Sequence, residues 1–320
     1  MSLINKINFQ YKFRVLKELV DSKKYEEFFI ELEKTKKNYK NFSDLSMAFV
    51  SNIIKNNEND IFDSKIVWLN SFFIDDLFYL NNFISFYFNY QQKIINTSKS
   101  YEEEISEVFK SSNENIKISF EDLLDNSYLY QWLILQKSKN KYNFINNQMP
   151  FFSTKNNFNF TKSTLTNCFI LMVDNPYNVY QFIKDKNNND IEKSRNIFLN
   201  LDNRSFFQNL DRVTVEINRQ GWHTNLLSWK DPNVLNSLRG KIILKNDIID
   251  NTYETLSSII FHLIQSGLNI TMDYEIIQDF IKFNPVPFKK IKHNISTKEK
   301  KFLAPYIHNI LSDIEEEKLD

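Results

Sequence analysis

Few residues in this chain combine a type and a spacing that would support chemistry. The four histidines (His223, His262, His293 and His308) are scattered, and none of them belongs to an H-E-x-x-H zinc motif. A single cysteine, Cys168, excludes a disulfide framework and a zinc site built from several thiolates. The sequence therefore predicts no metal site.

Glycine is scarce, and this excludes a second class of site. Average usage of about 7% would give about 22 glycines in a chain of this length. The 320 residues contain only 3. A phosphate-binding loop made of glycine amides, of either the G-x-G-x-x-G or the Walker type, is therefore absent, and no bound cofactor is expected from motifs of this kind.

The composition indicates a folded chain without a general attraction to polyanions. Lys and Arg total 40, Asp and Glu total 40, and 42% of residues are hydrophobic. A net charge of zero gives no reason to expect nucleic acid or anionic lipid as a partner. The longest apolar stretch, residues 66–90, is interrupted by acidic and amide pairs, so no membrane span is predicted. Residues 1–25 carry charge throughout rather than an apolar signal segment, so we expect a cytoplasmic protein.

The elements that would position a site alternate between strand and helix. Short segments rich in branched and aromatic residues predict strands at residues 64–71, 168–173, 212–217 and 241–245. Amphipathic patterns after them predict helices to about residue 93 and at residues 177–185, 223–229 and 252–265. This alternation predicts an α/β fold with a small, mainly parallel sheet flanked by helices.

Other segments complete the predicted organisation. Residues 1–60 are predicted as an N-terminal helical extension and residues 61–320 as the α/β domain. Residues 97–119 are polar and acidic and predict a surface helix and loop, residues 122–136 predict a helix, and the polar residues 137–148 predict a loop. Residues 296–299 (Ser-Thr-Lys-Glu) predict a capping box that opens the last helix.

Three segments, taken in order, resemble the landmarks of the sulfotransferases that use 3′-phosphoadenylyl sulfate (PAPS). IVWLNSFFIDDLFYL at residues 66–80 resembles the family's strand I-x-W-L-x-S-Y-P, which runs into K-S-G-N-T-W-L. FILMVDNPYNV at residues 169–179 is similar to I-V-R-N-P-x-D-V, and PFFSTKN at residues 150–156 stands where the family has F-x-K-T-H-N. WHTNLLSW at residues 222–229, followed by KIILKNDIIDN at 241–251, resembles W-x-x-N-x-x-S-W and R-Y-E-D-L-x-x-D-P. The resemblance spans residues 63–306 and implies the family's P-loop-type fold.

The family's ligand-binding residues are mostly replaced here. In the donor loop, Ile74 stands for the family's Lys, Asp76 for its Gly and Phe78 for its Thr, next to Asp75. The residues that bind the cofactor's 3′-phosphate, an Arg and a Ser, correspond to Asp174 and Phe182, and the general base His corresponds to Lys155. The family's R-x-G-x-x-G stretch corresponds to residues 288–293, which contain Lys289 and Lys290 but no glycine.

The retained residues have a different character, because they belong to the framework of the fold. They are Trp68, Ser71, Asn175, Pro176, Trp222, Ser228, Trp229 and Asp247. Two carboxylates at the donor loop would also repel an anion. A pair of like charges about 4 Å apart in an effective dielectric near 20 repels by about 4 kcal/mol. A kept framework with a replaced ligand shell is the pattern of a pseudoenzyme.

Three readings of the function follow. The leading one is a catalytically inactive sulfotransferase-like protein with a degenerate PAPS site, which binds a small molecule or a protein partner. The second is a divergent active sulfotransferase that uses PAPS, with Lys155 or His223 as base and residues 289–292 on the phosphate. The third is an unrelated helical interaction protein. Parallel strands near residues 66–70 and 168–173 would exclude the third.

Overall fold

The computed structural model describes residues 11–12, 14–19, 22, 24, 27, 30–31, 34, 65–108, 116–138, 142–152, 159–199, 204–209, 213–289 and 294–311. The chain forms two compact units. The larger consists of residues 65–100, 140–205 and 218–320, and the smaller contains residues 101–139 and 206–217 with the described N-terminal residues. Residues 14–19 are helical. A domain boundary between residues 60 and 61 stays a prediction.

The described elements alternate along the chain. The strands are β1 (Ile66–Asn70), β2 (Ile95–Ser100), β3 (Ile116–Ile118), β4 (Tyr142–Asn147), β5 (Thr166–Val173), β6 (Arg204–Asn209), β7 (Val213–Asn218) and β8 (Gly240–Leu244). The helices are α1 (Phe78–Tyr90), α2 (Tyr101–Val108), α3 (Phe120–Asp125), α4 (Ser127–Lys137), α5 (Pro176–Lys186), α6 (Ile191–Leu199), α7 (Trp222–Lys230), α8 (Pro232–Ser237), α9 (Lys245–Asp250), α10 (Thr252–Gln265), α11 (Tyr274–Phe283) and α12 (Thr297–Leu311). A short 3₁₀ helix, Ile74–Leu77, precedes α1.

The larger unit is built on a five-stranded sheet in the order β2-β4-β1-β5-β8. Each neighbouring pair in this sheet is parallel. The predicted α/β fold class with a parallel sheet is therefore confirmed. The helical alternative is wrong, because β1 and β5 are strands that pair side by side.

Both faces of the sheet are covered, which explains why its central strands read as continuous apolar runs. Val67 and Leu69 belong to a core cluster that includes side chains of α1 and α10, among them Phe83 and Ile259. Trp68, whose side chain points to the opposite face, packs on Phe160 with ring centroids 5.0 Å apart. Side chains on both faces of β1 are thus removed from water.

Strand β4 contradicts the prediction of a loop at residues 137–148. Half of its six residues, YNFINN, are asparagines, a residue type that is depleted in strands. The buried amides are accommodated by hydrogen bonds to one another. Asn147 Nδ2 donates to Asn70 Oδ1 at 2.9 Å, and Asn81 Nδ2 donates to Asn146 Oδ1 at 3.0 Å. Polar composition therefore concealed a strand next to the centre of the sheet.

The prediction of a surface helix and loop at residues 97–119 is right about a helix but wrong about its exposure and about the strands in this stretch. This stretch contains the end of β2, then α2 and β3, and α2 buries Tyr101, Glu102 and Glu104. The Tyr101 hydroxyl donates to the carbonyl of Ser127 at 3.2 Å, and burial raises the pKa of Tyr101. The acidic residues suggested exposure, but α2 packs inside the smaller unit.

The smaller unit contains a second sheet in the order β3-β7-β6, in which β3 and β7 are parallel. The helix predicted at residues 122–136 is present as α3 and α4, with a break at Asn126. Ser119 caps α3, because its Oγ accepts a hydrogen bond from the amide of Asp122 at 3.1 Å.

The predicted capping box at the start of α12 is confirmed. Ser296 N donates to Glu299 Oε2 at 2.9 Å, and Glu299 N donates to Ser296 Oγ at 3.3 Å. The other oxygen of Glu299 forms an ion pair with Lys184 of α5 at 3.0 Å. The cap thus also attaches α12 to α5.

We predict that Gly240→Ala destabilises the larger unit. A Cβ atom at Gly240 would lie 2.2 Å from Cζ of the fully buried Phe169 ring. Overpacking of this kind costs about 1–3 kcal/mol. Urea unfolding followed by circular dichroism measures the change, with the nearby exposed Ser237→Ala as control. An unchanged midpoint for Gly240→Ala would contradict this packing.

Candidate functional site

The candidate site lies at the carboxyl ends of β1 and β5. The chain leaves β1 toward β4 and β2 on one side of the sheet, whereas it leaves β5 toward β8 on the other side. Neighbouring parallel strands whose connections diverge leave a crevice beyond their carboxyl ends, and open α/β sheets bind ligands at such switch points. The topology therefore selects one edge of the sheet before any side chain is considered.

Three charged side chains meet at this edge, one from the end of each of three neighbouring strands. Asp76 lies on the 3₁₀ helix after β1, Asp174 directly follows β5, and Lys245 directly follows β8. The ammonium of Lys245 is 2.7 Å from Asp76 Oδ1 and 3.0 Å from Asp174 Oδ2. We name these three residues the Lys245 cluster.

Further contacts fix both ends of the Lys245 cluster. Asp174 Oδ1 accepts hydrogen bonds at 2.7 Å from the amide of Asn175 and from Asn178 Nδ2. Lys245 Nζ also lies 4.8 Å from the centroid of the Phe288 ring, a favourable cation–π distance. The ammonium thus contacts two carboxylates and lies near an aromatic ring.

Burial and charge act in opposite directions within the Lys245 cluster. Burial raises the pKa of Asp76 above its ordinary 3.8, although Lys245 opposes this effect. Burial alone would lower the pKa of Lys245, but the carboxylates of Asp76 and Asp174 outweigh burial and raise it above 10.5. Lys245 therefore carries its proton at neutral pH, which makes it a poor nucleophile or base.

A cleft of about 280 Å³ opens beside the Lys245 cluster. Its walls contain three phenylalanines, Phe72, Phe73 and Phe182, whose rings touch in sequence with centroids 4.9 Å and 4.6 Å apart. Its charged lining residues are Asp75, Lys186 and Arg219. The cleft is therefore mainly apolar, with a few charges placed around aromatic rings.

The structure brings together most of the predicted cofactor positions. Asp76 and Asp174 share Lys245, Asp75 and Phe182 line the cleft, and Asn175 caps α5 by accepting a hydrogen bond from Tyr177 N at 2.9 Å. Ser71 is buried, and its amide donates to the carbonyl of Asn147 at 3.2 Å.

The predicted catalytic and basic positions lie elsewhere. His223 lies in the first turn of α7 and meets the Tyr306 ring edge-on at 5.2 Å. It is not among the residues that line the cleft. Burial lowers its pKa. Lys289 is exposed. Lys155 and Lys290 lie outside the described residues.

Lys245 is the central residue that sequence reasoning missed. The prediction that the carboxylates of Asp75 and Asp76 repel an anion was incomplete, because it did not include this cation. A signal was present in the sequence. Asp76 and Asp174 follow predicted strands and Lys245 ends one, and the carboxyl ends of parallel strands meet at one edge. Pairing opposite charges across those ends would have found the contact.

Two classes of feature are not found in the described part of the chain. No helix there is long and apolar enough to cross a membrane. No group of three or more metal-ligating side chains is found within the same residues. The cytoplasmic location stays a prediction.

Comparisons with known proteins found matches among solved structures. No protein-family model and no curated protein matches the chain. The chain is similar to the crystal structure of mouse sulfotransferase SULT7A1 complexed with PAP, with 12% sequence identity and a TM-score of 0.40. The match covers 78% of this chain and 85% of that chain. The α/β fold class follows from the strand pairings described above.

We predict that Lys245→Met destabilises the larger unit by about 3 kcal/mol, because it leaves two buried carboxylates without their cation. The matched control is Lys241→Met on β8, which should be neutral or stabilising, since burial lowers the pKa of Lys241 and disfavours its charge. Urea unfolding at pH 7 measures both. An equal, small effect of the two substitutions would contradict a stabilising role of the Lys245 cluster.

The cost of Lys245→Met should also depend on pH. A carboxyl group whose folded pKa lies above its unfolded value gains stability as pH falls, and Asp76 is shifted in this direction by burial. Without Lys245 the shift grows, so the destabilisation should shrink between pH 7 and about pH 5. Unfolding curves of wild type and variant at both pH values test this. A difference that stays constant would mean that Asp76 does not titrate in this range.

Proposed function

We propose that this chain is a sulfotransferase-like protein that does not transfer sulfuryl groups and instead binds a ligand or partner. The single observation that carries the proposal is the Lys245 cluster. Sulfuryl transfer needs a cation and backbone amides around the donor's anionic group. The cation at the ends of the three neighbouring strands, Lys245, is already held by Asp76 and Asp174 at 2.7 Å and 3.0 Å.

The identity of the surrounding residues supports the same conclusion. An incoming phosphosulfate would have to compete with two carboxylates for one ammonium. It would also meet the Phe182 ring at the position that corresponds to the family's phosphate-binding Ser, and this ring already packs on Phe73. Neither a carboxylate nor a phenylalanine ring can donate a hydrogen bond to an anion.

The residues shared with the family have packing or capping roles in this structure. Trp68 Nε1 donates to Thr166 Oγ1 at 2.9 Å, and Trp229 Nε1 donates to the carbonyl of Met149 at 2.9 Å. Ser228 Oγ accepts from the amide of Phe151 at 2.8 Å, and Trp222 stacks on Phe198. A kept framework is therefore compatible with loss of the donor site.

The active alternative receives little support from geometry. His223 faces Tyr306 and does not line the cleft. Lys289 is exposed and lies next to Phe288, the residue that packs on Lys245. The alternative is therefore best treated as the outcome that would refute the proposal.

A titration with 3′-phosphoadenosine 5′-phosphate (PAP) tests the proposal. A ligand at a hundredfold excess over its Kd stabilises a fold by about 2.7 kcal/mol. We expect no measurable increase in the melting temperature of the wild-type chain at 1 mM PAP. The same PAP stock must stabilise an active sulfotransferase run in parallel. Micromolar binding, or transfer of label from radioactive PAPS to any acceptor, would refute the proposal.

A further inference from the structure

The cleft beside the Lys245 cluster has a wall that suits a flat ring. The rings of Phe73 and Phe182 meet edge-to-face at 4.6 Å, and Phe72 extends this surface. Phe182 is 37% exposed although it is a large apolar residue. Ile74, Ile183 and Ile197 complete the apolar lining. Aromatic walls of this kind gain most by contact with another aromatic group, through offset or edge-on packing.

The polar groups of the cleft favour one negative charge. Lys186 and Arg219 are cationic and Asp75 is acidic, so the described lining carries one net positive charge. Arg219 is held in place by a hydrogen bond from Nη1 to Gln148 Oε1 at 2.9 Å. Lys186 Nζ lies 4.4 Å from the centroid of the Phe182 ring. A guanidinium and an ammonium near an aromatic wall can bind a carboxylate attached to a ring.

We propose that this cleft binds a small aromatic monoanion, a planar ring system that carries a single carboxylate. The ring would pack on Phe73 and Phe182, and the carboxylate would face Arg219 and Lys186. This inference rests on the proposed function, because it requires that no nucleotide donor occupies this edge of the sheet. It adds the chemical class of the ligand.

Size and charge distinguish this ligand from a nucleotide bisphosphate. The volume of about 280 Å³ lies just below the range of about 300–1,000 Å³ that is common for small-molecule pockets. The described lining carries one net positive charge, because Asp75 offsets one of its two cations, so a ligand with several negative charges would be only partly balanced there. A ligand with one negative charge and one ring system satisfies both the limit on volume and the limit on charge.

The test uses 2-naphthoate as the probe and 2-naphthamide as its neutral counterpart. Binding to the full chain is measured by saturation-transfer NMR and by isothermal titration, with PAP as a third ligand. We expect 2-naphthoate to bind, and 2-naphthamide to bind about tenfold more weakly, because it lacks the charge-assisted hydrogen bonds. Equal binding of the two naphthalenes, or binding of neither, would overturn the proposed ligand class.

Substitutions locate the binding site. Lys186→Gln and Arg219→Gln should each weaken 2-naphthoate binding, and Phe182→Ser should weaken both naphthalenes about fivefold. The control Phe261→Ser removes an exposed ring on α10 and should change nothing. Lys186 is exposed, so its variant keeps the test informative if Arg219→Gln does not fold. Undiminished binding by Lys186→Gln and Phe182→Ser would place the ligand elsewhere and refute the site.

The outcomes separate this inference from the proposed function. Absence of PAP binding together with absence of 2-naphthoate binding would leave the loss of donor binding intact and remove only the ligand class. Micromolar PAP binding would refute the proposed function whatever the naphthalenes do.

Discussion

The arrangement of this site depends on one ammonium group held between two carboxylates. Lys245 lies at the end of an edge strand, and its contacts with Asp76 and Asp174 join the ends of three neighbouring strands. Each acid alone would be costly to bury at this place, since a buried charge needs a partner. Lys245 supplies that partner from within the chain, so both carboxylates have a cation as partner without any ligand.

The position of this site and its binding chemistry are set by different features of the molecule. The order of the strands places a crevice beyond β1 and β5 whatever residues surround it. What the crevice can bind is then decided by a few side chains at strand ends, and here those are an ion cluster on one side and phenylalanine rings on the other. The fold therefore provides a location for binding, while the side chains around it favour an occupant other than a highly charged one.

The sequence was informative where the pattern was local. Strands β1, β5 and β8 and helix α10 were found because their apolar runs and periodicity reflect burial directly. β4 was missed because its asparagines suggest exposure, whereas two of them are buried against amides on other elements, Asn70 and Asn81. The same reason hid the role of Lys245, whose partners lie at residues 76 and 174. Interactions between residues distant in sequence leave no periodic signal.

The wide spacing of the Lys245 cluster along the chain also has a consequence for folding. Its members come from positions 76, 174 and 245, so the ion contacts can form only after β1, β5 and β8 have been brought into alignment. Pairings between distant segments carry a loop-closure cost and slow folding. The cluster is therefore expected to assemble late, and its formation would report that the final strand, at the far edge of the sheet, has docked.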